Sequence, residues 1–247
     1  IAQLVQRHEA LRTTFSPDGS DLCIGATLHL DVPFLDLLAL ESSAREQKIA
    51  DLRHDAVADP FDLEHGPLFR AQIVRLNTEE YITILTVHHI ICDGWSWVVL
   101  ITDLGKLYSA LKQGISPKLD EPEAFSEYAA VAASENSEEA QETLDYWLHQ
   151  FADTPPVLDL PLDRPRPPLR TFDADREDWV LSPELVANLK QLGIQLSCSF
   201  MTTLLSSFEV FLHRLSGQDD IIVGVPAAGQ AATSCYGVVG HCVNLLP

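Results

Sequence analysis

Basic residues are scarce in this chain. It carries 16 lysines and arginines against 36 aspartates and glutamates, a formal net charge of −20 at pH 7. Phosphate backbones and anionic bilayers are held by basic faces, so the balance speaks against nucleic acid and membrane as partners. The acidic excess reads as a solvated surface that favours solubility. Cysteine is limited to Cys23, Cys92, Cys198, Cys235 and Cys242, an odd count with no CxxC spacing. That argues against a disulfide framework and a structural zinc site, and a reducing, cytoplasmic compartment is expected. No metal site is expected. Apolar runs of membrane-spanning length are missing, and so are a signal-peptide pattern, internal repeats and low-complexity tracts. The chain opens on Ile1 and closes on Val243-Asn244-Leu245-Leu246-Pro247, which reads as the middle of a structured segment of something longer.

What is present suits a folded core. Hydrophobic residues make up 46% and charged residues 21% of 247, enough for one large domain or two small lobes. Residues 1 to about 12 suit a helix with Leu4, Val5, His8 and Leu11 on one face. Short strands are expected around the Ser16-Pro17-Asp18-Gly19 turn, then a helix from about Ser42 to Ala58. Phe69 to Leu76 and Tyr81 to Ile91 read as two strands, the second a nearly continuous apolar run that suits burial on both faces. Trp95 to about Leu111 reads as a helix packed on that strand through Trp95, Val98, Val99, Thr102 and Leu107. A second helical region covers about Ala124 to Phe151. Six of the 15 prolines then fall between Thr154 and Pro168, and proline's missing donor and fixed φ forbid a helix or central strand there. Beyond, Arg176 to Leu181 is strand-like. Ser182-Pro183 is a helix start, and helices of about 183–192 and 199–215 are expected. Ile221 to Val225 reads as a strand ended by Pro226. The fold class is mixed α/β in two lobes, with residues 1–160 as the first, 161–175 as a proline-rich connector and 176–247 as the beginning of the second.

The chemistry concentrates in Val87-His88-His89-Ile90-Ile91-Cys92-Asp93-Gly94-Trp95-Ser96. Two histidines, a carboxylate and a glycine fall together where a strand turns into a helix. At this chain's composition HHxxxDG arises by chance with a probability of roughly 10⁻³. Successive strand residues face opposite sides, so one histidine is expected to work and the other to support it. Asp93 could orient the imidazole, as a triad aspartate does, or turn away and pair with an arginine that holds the turn. Gly94 leaves room where a substrate arm comes close to the backbone. Cys92 is adjacent but sits at the strand end, and no exposed nucleophile accompanies the site. Direct transfer is therefore expected rather than a covalent acyl-enzyme.

On these residues the sequence resembles the condensation domains of nonribosomal peptide synthetases. Their signature is HHxxxDG followed by a large apolar residue and serine, as in residues 88–96. Arg7-His8-Glu9-Ala10-Leu11-Arg12-Thr13-Thr14-Phe15 is similar to the family's RHExLRTxF. Phe125-Ser126-Glu127-Tyr128-Ala129 is similar to a weaker aromatic-acidic motif. Val225-Pro226-Ala227-Ala228-Gly229-Gln230 resembles PxAGR with Gln230 in the arginine's place. Val239-Gly240-His241-Cys242-Val243-Asn244 resembles VGxFVN with Cys242 in place of phenylalanine. The matches keep the family's order.

The resemblance implies a two-lobed fold like chloramphenicol acetyltransferase, here an N-lobe plus an incomplete C-lobe. It implies peptide-bond formation between a donor acyl or aminoacyl thioester and the amine of an acceptor aminoacyl thioester. The partners would be upstream and downstream carrier (thiolation) domains and a neighbouring adenylation domain. The domain itself would bind no cofactor; the 4′-phosphopantetheine arms of the carriers bring the substrates. His89 matches the catalytic residue, with His88 its neighbour, and Asp93 a mainly structural aspartate paired with Arg12. Gly94 matches the point of pantetheine approach, Trp95 and Ser96 complete the signature, and Asn244 matches a C-lobe asparagine near the site. Heterocyclising relatives carry DxxxxD here, which this chain lacks. Epimerising relatives share HHxxxDG and often follow it with Ser-Trp, as Ser96-Trp97 does, whereas Arg12 to Phe15 and Trp95 look more like condensation. A non-enzymatic recruitment domain would commonly lose the histidine or glycine, and both are present.

Overall fold

The computed structural model describes residues 1–134, 138–169, 171 and 175–247. Positions 170 and 172–174 of the expected connector, and 135–137 of the second helical region, lie outside them. The described chain forms two compact units. One comprises Ile1–Ser137 with Pro226–Leu245, the other Glu138–Val225 with Leu246–Pro247. No helix among the described residues is long and apolar enough to cross a membrane.

The first unit begins with helix α1 (Ala2–Arg7) and a 3₁₀ turn, Glu9–Arg12. The expected single helix breaks at His8, whose backbone is extended (φ −105°, ψ 115°). Leu4, Val5, His8 and Leu11 are nonetheless all buried, as their spacing anticipates. Strands β1 (Thr13–Phe15) and β2 (Leu22–Ile24) form an antiparallel pair. Strand β3 (Phe34–Asp36) and helix α2 (Ser42–Ala58) follow, then β4 (Phe69–Arg75) and β5 (Tyr81–Val87). The sheet order is β3-β4-β5, with β3 parallel to β4 and β4 antiparallel to β5, in register from Phe69↔Val87 to Arg75↔Tyr81. Asn77 closes the hairpin by accepting the amides of Glu79 and Glu80 at 2.9 Å each. β5 is thus an edge strand with half-buried side chains, not a strand covered on both faces, and it stops at Val87 rather than Ile91.

Helix α3 (Gly94–Gln113) is capped by Asp93 and ends at Gly114 in the left-handed region, φ 68°. Its buried stripe is Ser96, Leu100, Asp103, Leu107 and Ala110, while Val98 is 67% exposed. Hydrophobic periodicity pointed to a different face because two polar residues lie on the true one. Ser96 and Asp103 are each satisfied by buried partners, so burial does not penalise them. The core joins Leu4, Val5, Leu11, Leu68, Phe69, Ile91, Cys92, Leu100 and Leu107 with Val239 of the returning segment. Each such apolar side chain contributes roughly 1.5–3 kcal/mol on burial. Helix α4 (Phe125–Ser134) places Phe125 against Val238 and Cys242.

In the second unit lie α5 (Glu138–Gln150), α6 (Pro183–Gln195) and α7 (Phe200–Ser216). Ser182 and Ser199 cap the last two by accepting the amides of Leu185 and Thr202. Arg176 to Leu181 is not a strand: its residues are exposed and unpaired with any described strand. The strand expected to end at Pro226 instead contains it. β6 runs Val225–Ala228, before a short helix α8 (Gly229–Thr233), and among the described residues pairs with β7 (Val243–Leu246) alone. Proline is tolerated where a strand has a free edge.

Candidate active site

The β4–β5 ladder delivers the chain to His88, whose amide still donates to Leu68 O at 2.9 Å. There the strand gives way to a 3₁₀ turn, His89–Ile91, with His88 as its cap. His88 Nδ1 accepts the amide of Ile90 at 3.1 Å, and its ring stands edge-on to Phe61. Burial foremost, and then the nearby His89, hold His88 below the usual imidazole range. Its ring is thus a packed, hydrogen-bonded part of the turn. Ile91 and Cys92, 0% and 2% exposed, anchor the turn in the core, while His89 is exposed. The two histidines do divide their environments, but the turn divides them, not strand alternation.

Asp93 is 3% exposed at the N-cap of α3. Its Oδ1 accepts Ser96 N at 2.8 Å and Ser96 Oγ at 2.7 Å, and its Oδ2 accepts Gln230 Nε2 at 2.9 Å and Cys242 N at 3.0 Å. Burial pushes the carboxyl up, but the Ser96 amide, the Gln230 amide, the Ser96 hydroxyl and the Cys242 amide together outweigh it. The group is held below the usual carboxylate range. None of these bonds goes to a histidine, so Asp93 is not a triad aspartate. Nor does it pair with Arg12. That guanidinium is spent on backbone carbonyls, Val5 O at 3.2 Å, Gln6 O and Ala26 O at 3.4 Å, and Gly25 O. One free amide of the helix start, Ser96 N, together with the Ser96 hydroxyl, the Gln230 side chain and the Cys242 amide, replaces the cation that burial was expected to demand.

Ser96, fully buried, also meets the returning segment. Its Oγ lies 3.0 Å from Gly240 N and 2.8 Å from Gly240 O. Gly240 must be a glycine, because a Cβ there would enter the Phe125 ring. Gly94 is different. A Cβ would meet nothing within 4 Å, and its φ lies outside the left-handed region, so the fold does not require glycine there. Trp95, 37% exposed, donates from Nε1 to Tyr236 O at 2.9 Å, with the two rings 5.9 Å apart. Asn244 is exposed on β7, and among the described residues its side chain makes no hydrogen bond to the others.

Two residues were not foreseen. Gln230, 0% exposed, holds Asp93 with its amide nitrogen and leaves Oε1 buried without a partner among the described residues. In sequence the position stands out only as an arginine's replacement. His241 lies against His89: its Nδ1 is 3.1 Å from His89 Nδ1 and 3.0 Å from His89 O. No sequence signal singles it out. Burial, then the charge of Asp93, pushes the Cys92 and Cys242 thiols up to about 12, so neither is a thiolate near neutrality. Among the described residues no group of three or more His, Cys, Asp or Glu could hold a metal ion.

A family model described as "Condensation domain" matches residues 1–247. The chain is 35% identical over 252 residues to one component of the linear gramicidin synthase of Brevibacillus parabrevis, covering 100% of this chain and 5% of that protein. It is 38% identical over 246 residues to one component of the plipastatin synthase of Bacillus subtilis (strain 168), covering 99% of this chain and 6% of that protein. The chain thus spans about a twentieth of the length of these relatives. A four-domain nonribosomal peptide synthetase, holo-AB3403 bound to AMP and glycine, superposes with a TM-score of 0.81 at 24% identity over 99% of this chain and 18% of that one. The first condensation domain of the calcium-dependent antibiotic synthetase, in complex with a substrate analogue, gives a TM-score of 0.77 at 21% identity over 100% and 58%. With this mixed helix-and-sheet fold, the chain belongs to the condensation-domain family of nonribosomal peptide synthetases.

Proposed function

We propose that this chain forms peptide bonds between two carrier-bound thioesters. The amine of the acceptor attacks the donor's thioester carbon. A C–N bond forms, the C–S bond breaks, and the proton lost by the amine ends on the released carrier thiol. The carriers would be upstream and downstream thiolation domains, with an adenylation domain as neighbour, and the reacting thioesters would hang on their 4′-phosphopantetheine arms. A free α-amine has a pKa of about 8, so a useful fraction is neutral near pH 7 and needs no strong base.

The observation that carries this reading is His89: an exposed imidazole on a turn anchored in the core by Ile91 and Cys92 and followed directly by the buried Asp93. Such a ring can hold the amine by a hydrogen bond or take its proton. The open space at Gly94, which nothing in the fold explains, supports the approach of a pantetheine arm at the start of α3. The neutral state of Cys92 supports direct transfer without an acyl-enzyme.

The test is an assay of the synthetase that carries this chain, with donor- and acceptor-loaded carriers. His89→Ala is expected to slow amide formation by roughly 10²–10⁴-fold while both carriers still bind. A near-wild-type rate in that variant would overturn the reading. So would a wild-type protein that exchanges the α-proton of a loaded aminoacyl group without forming amide, which assigns epimerisation. Carrier binding with no chemistry at all would assign a recruitment domain.

A further inference from the structure

His241 occupies a position to which the family resemblance gives no role, yet its ring meets the proposed reacting histidine twice. The contacts are to His89 Nδ1 at 3.1 Å and to the His89 carbonyl oxygen at 3.0 Å, with the ring centroids 5.1 Å apart and the planes at 68°. One proton is shared across the two Nδ1 atoms, and the carbonyl decides where it sits. A carbonyl oxygen only accepts. If His89 Nδ1 held the proton, the bare lone pair of His241 Nδ1 would face that oxygen at 3.0 Å with nothing between them. If His241 Nδ1 holds it, one N–H serves both acceptors.

We propose that His241 is a positioning residue whose Nδ1–H donates to the carbonyl and to Nδ1 of His89, fixing His89 in the tautomer with its proton on Nε2. The inference rests on the reading of His89 as the reacting ring, and it removes proton uptake from the roles left open for it. With Nδ1 occupied, the free end of the neutral ring is a donor. Nε2–H cannot take a proton from the amine; it can donate a hydrogen bond to an oxygen that gains charge, such as the donor carbonyl as the C–N bond forms. No proton changes owner in that role, so the balance of the reaction is unaltered. Tautomer control by a hydrogen bond to the far nitrogen is the usual way an imidazole is set for one task.

The test is a long-range ¹H–¹⁵N spectrum of the ¹⁵N-histidine-labelled chain, with His89 and His241 assigned by single variants. The expected result is a bare Nδ1 and a protonated Nε2 on His89, with a coupling across the hydrogen bond from His241 Nδ1–H. A proton on His89 Nδ1 overturns the proposal, and this reading of the wild type does not depend on any variant folding. In the amide-forming assay His241→Leu is expected to lose about tenfold or more in kcat with little change in KM. His241→Asn, whose Nδ2–H sits the same number of bonds from the backbone, is expected to recover most of that loss. A His241→Leu enzyme as fast as wild type also overturns it. If instead His89→Ala stays active while the spectrum is as expected, the proposed function fails and the tautomer assignment stands.

Discussion

Two aspartates on one helix are buried by opposite means. Asp103, in the middle of α3 and 6% exposed, meets a cation: Arg7 Nε lies 2.7 Å and His8 Nε2 3.0 Å from the same Oδ2. Asp93, at the N-cap and 3% exposed, meets only neutral donors from Ser96, Gln230 and Cys242. The difference is place along the helix. In the interior of α3 the backbone amides are already paired, so a carboxylate there needs a charged side chain. At the N-cap the amides are free and the aligned peptide dipoles add to them, so a carboxylate can stay ionised without a cation. The site uses the second arrangement. Asp93 ties the turn that carries His89 to the returning segment that carries Gln230, Cys242 and His241, all within one compact unit.

The comparison breaks most visibly on truncation. Asp93→Ala leaves the Ser96 and Cys242 amides and the Gln230 side chain without an acceptor in a closed space. A loss of about 4 kcal/mol in urea unfolding is expected. Asp103→Ala leaves His8 buried but lets the partly exposed Arg7 reach water, so about 2–3 kcal/mol is expected. Equal losses, or the reverse order, would remove the distinction between the two sites.

Acid sharpens the contrast with a smaller effect. His8 is held below its ordinary value, by burial foremost, which outweighs the pull of Asp103. Below about pH 6.5 the unfolded chain therefore takes up a proton that the folded chain refuses, and stability falls as pH drops toward the folded value of His8. His8→Gln keeps a donor for Asp103 but cannot titrate. Between about pH 7 and about pH 5 wild type should lose stability relative to it, measured by urea unfolding at each pH. A parallel pH dependence in the two proteins would show that His8 titrates freely.

Local signals carried most of what the sequence made legible. The helix start at Ser182 and the Ser42–Ala58 helix each depend on a few adjacent residues and stand where expected, and the helix expected from Trp95 begins one residue earlier, with Asp93 as a cap that was not anticipated. Non-local partners were illegible. The rule that a buried carboxylate wants a cation asked for an arginine at Asp93, the family resemblance named Arg12, and the rule holds further along the same helix, at Asp103 with Arg7. Gln230 and His241 reach the site only because β6, α8 and β7 return to the first unit, which no spacing of 137 or 152 residues announces. The buried face of α3 was misread for a related reason. Ser96 and Asp103 look like surface residues until their partners, distant in sequence, are known.

Asp93 is thus an ionised carboxylate stabilised by neutral donors. Its lowered folded value means that its contribution is fully present above about pH 3.9 and is lost as pH falls through the folded value. The direct measurement is the stability of wild type against Asp93→Asn by urea unfolding across pH. A wild-type advantage of about 2–3 kcal/mol is expected at about pH 7, narrowing only as pH drops below about 4. An Asp93→Asn protein as stable as wild type at neutral pH, or more stable, would mean that burial outweighs the donors, and would contradict it.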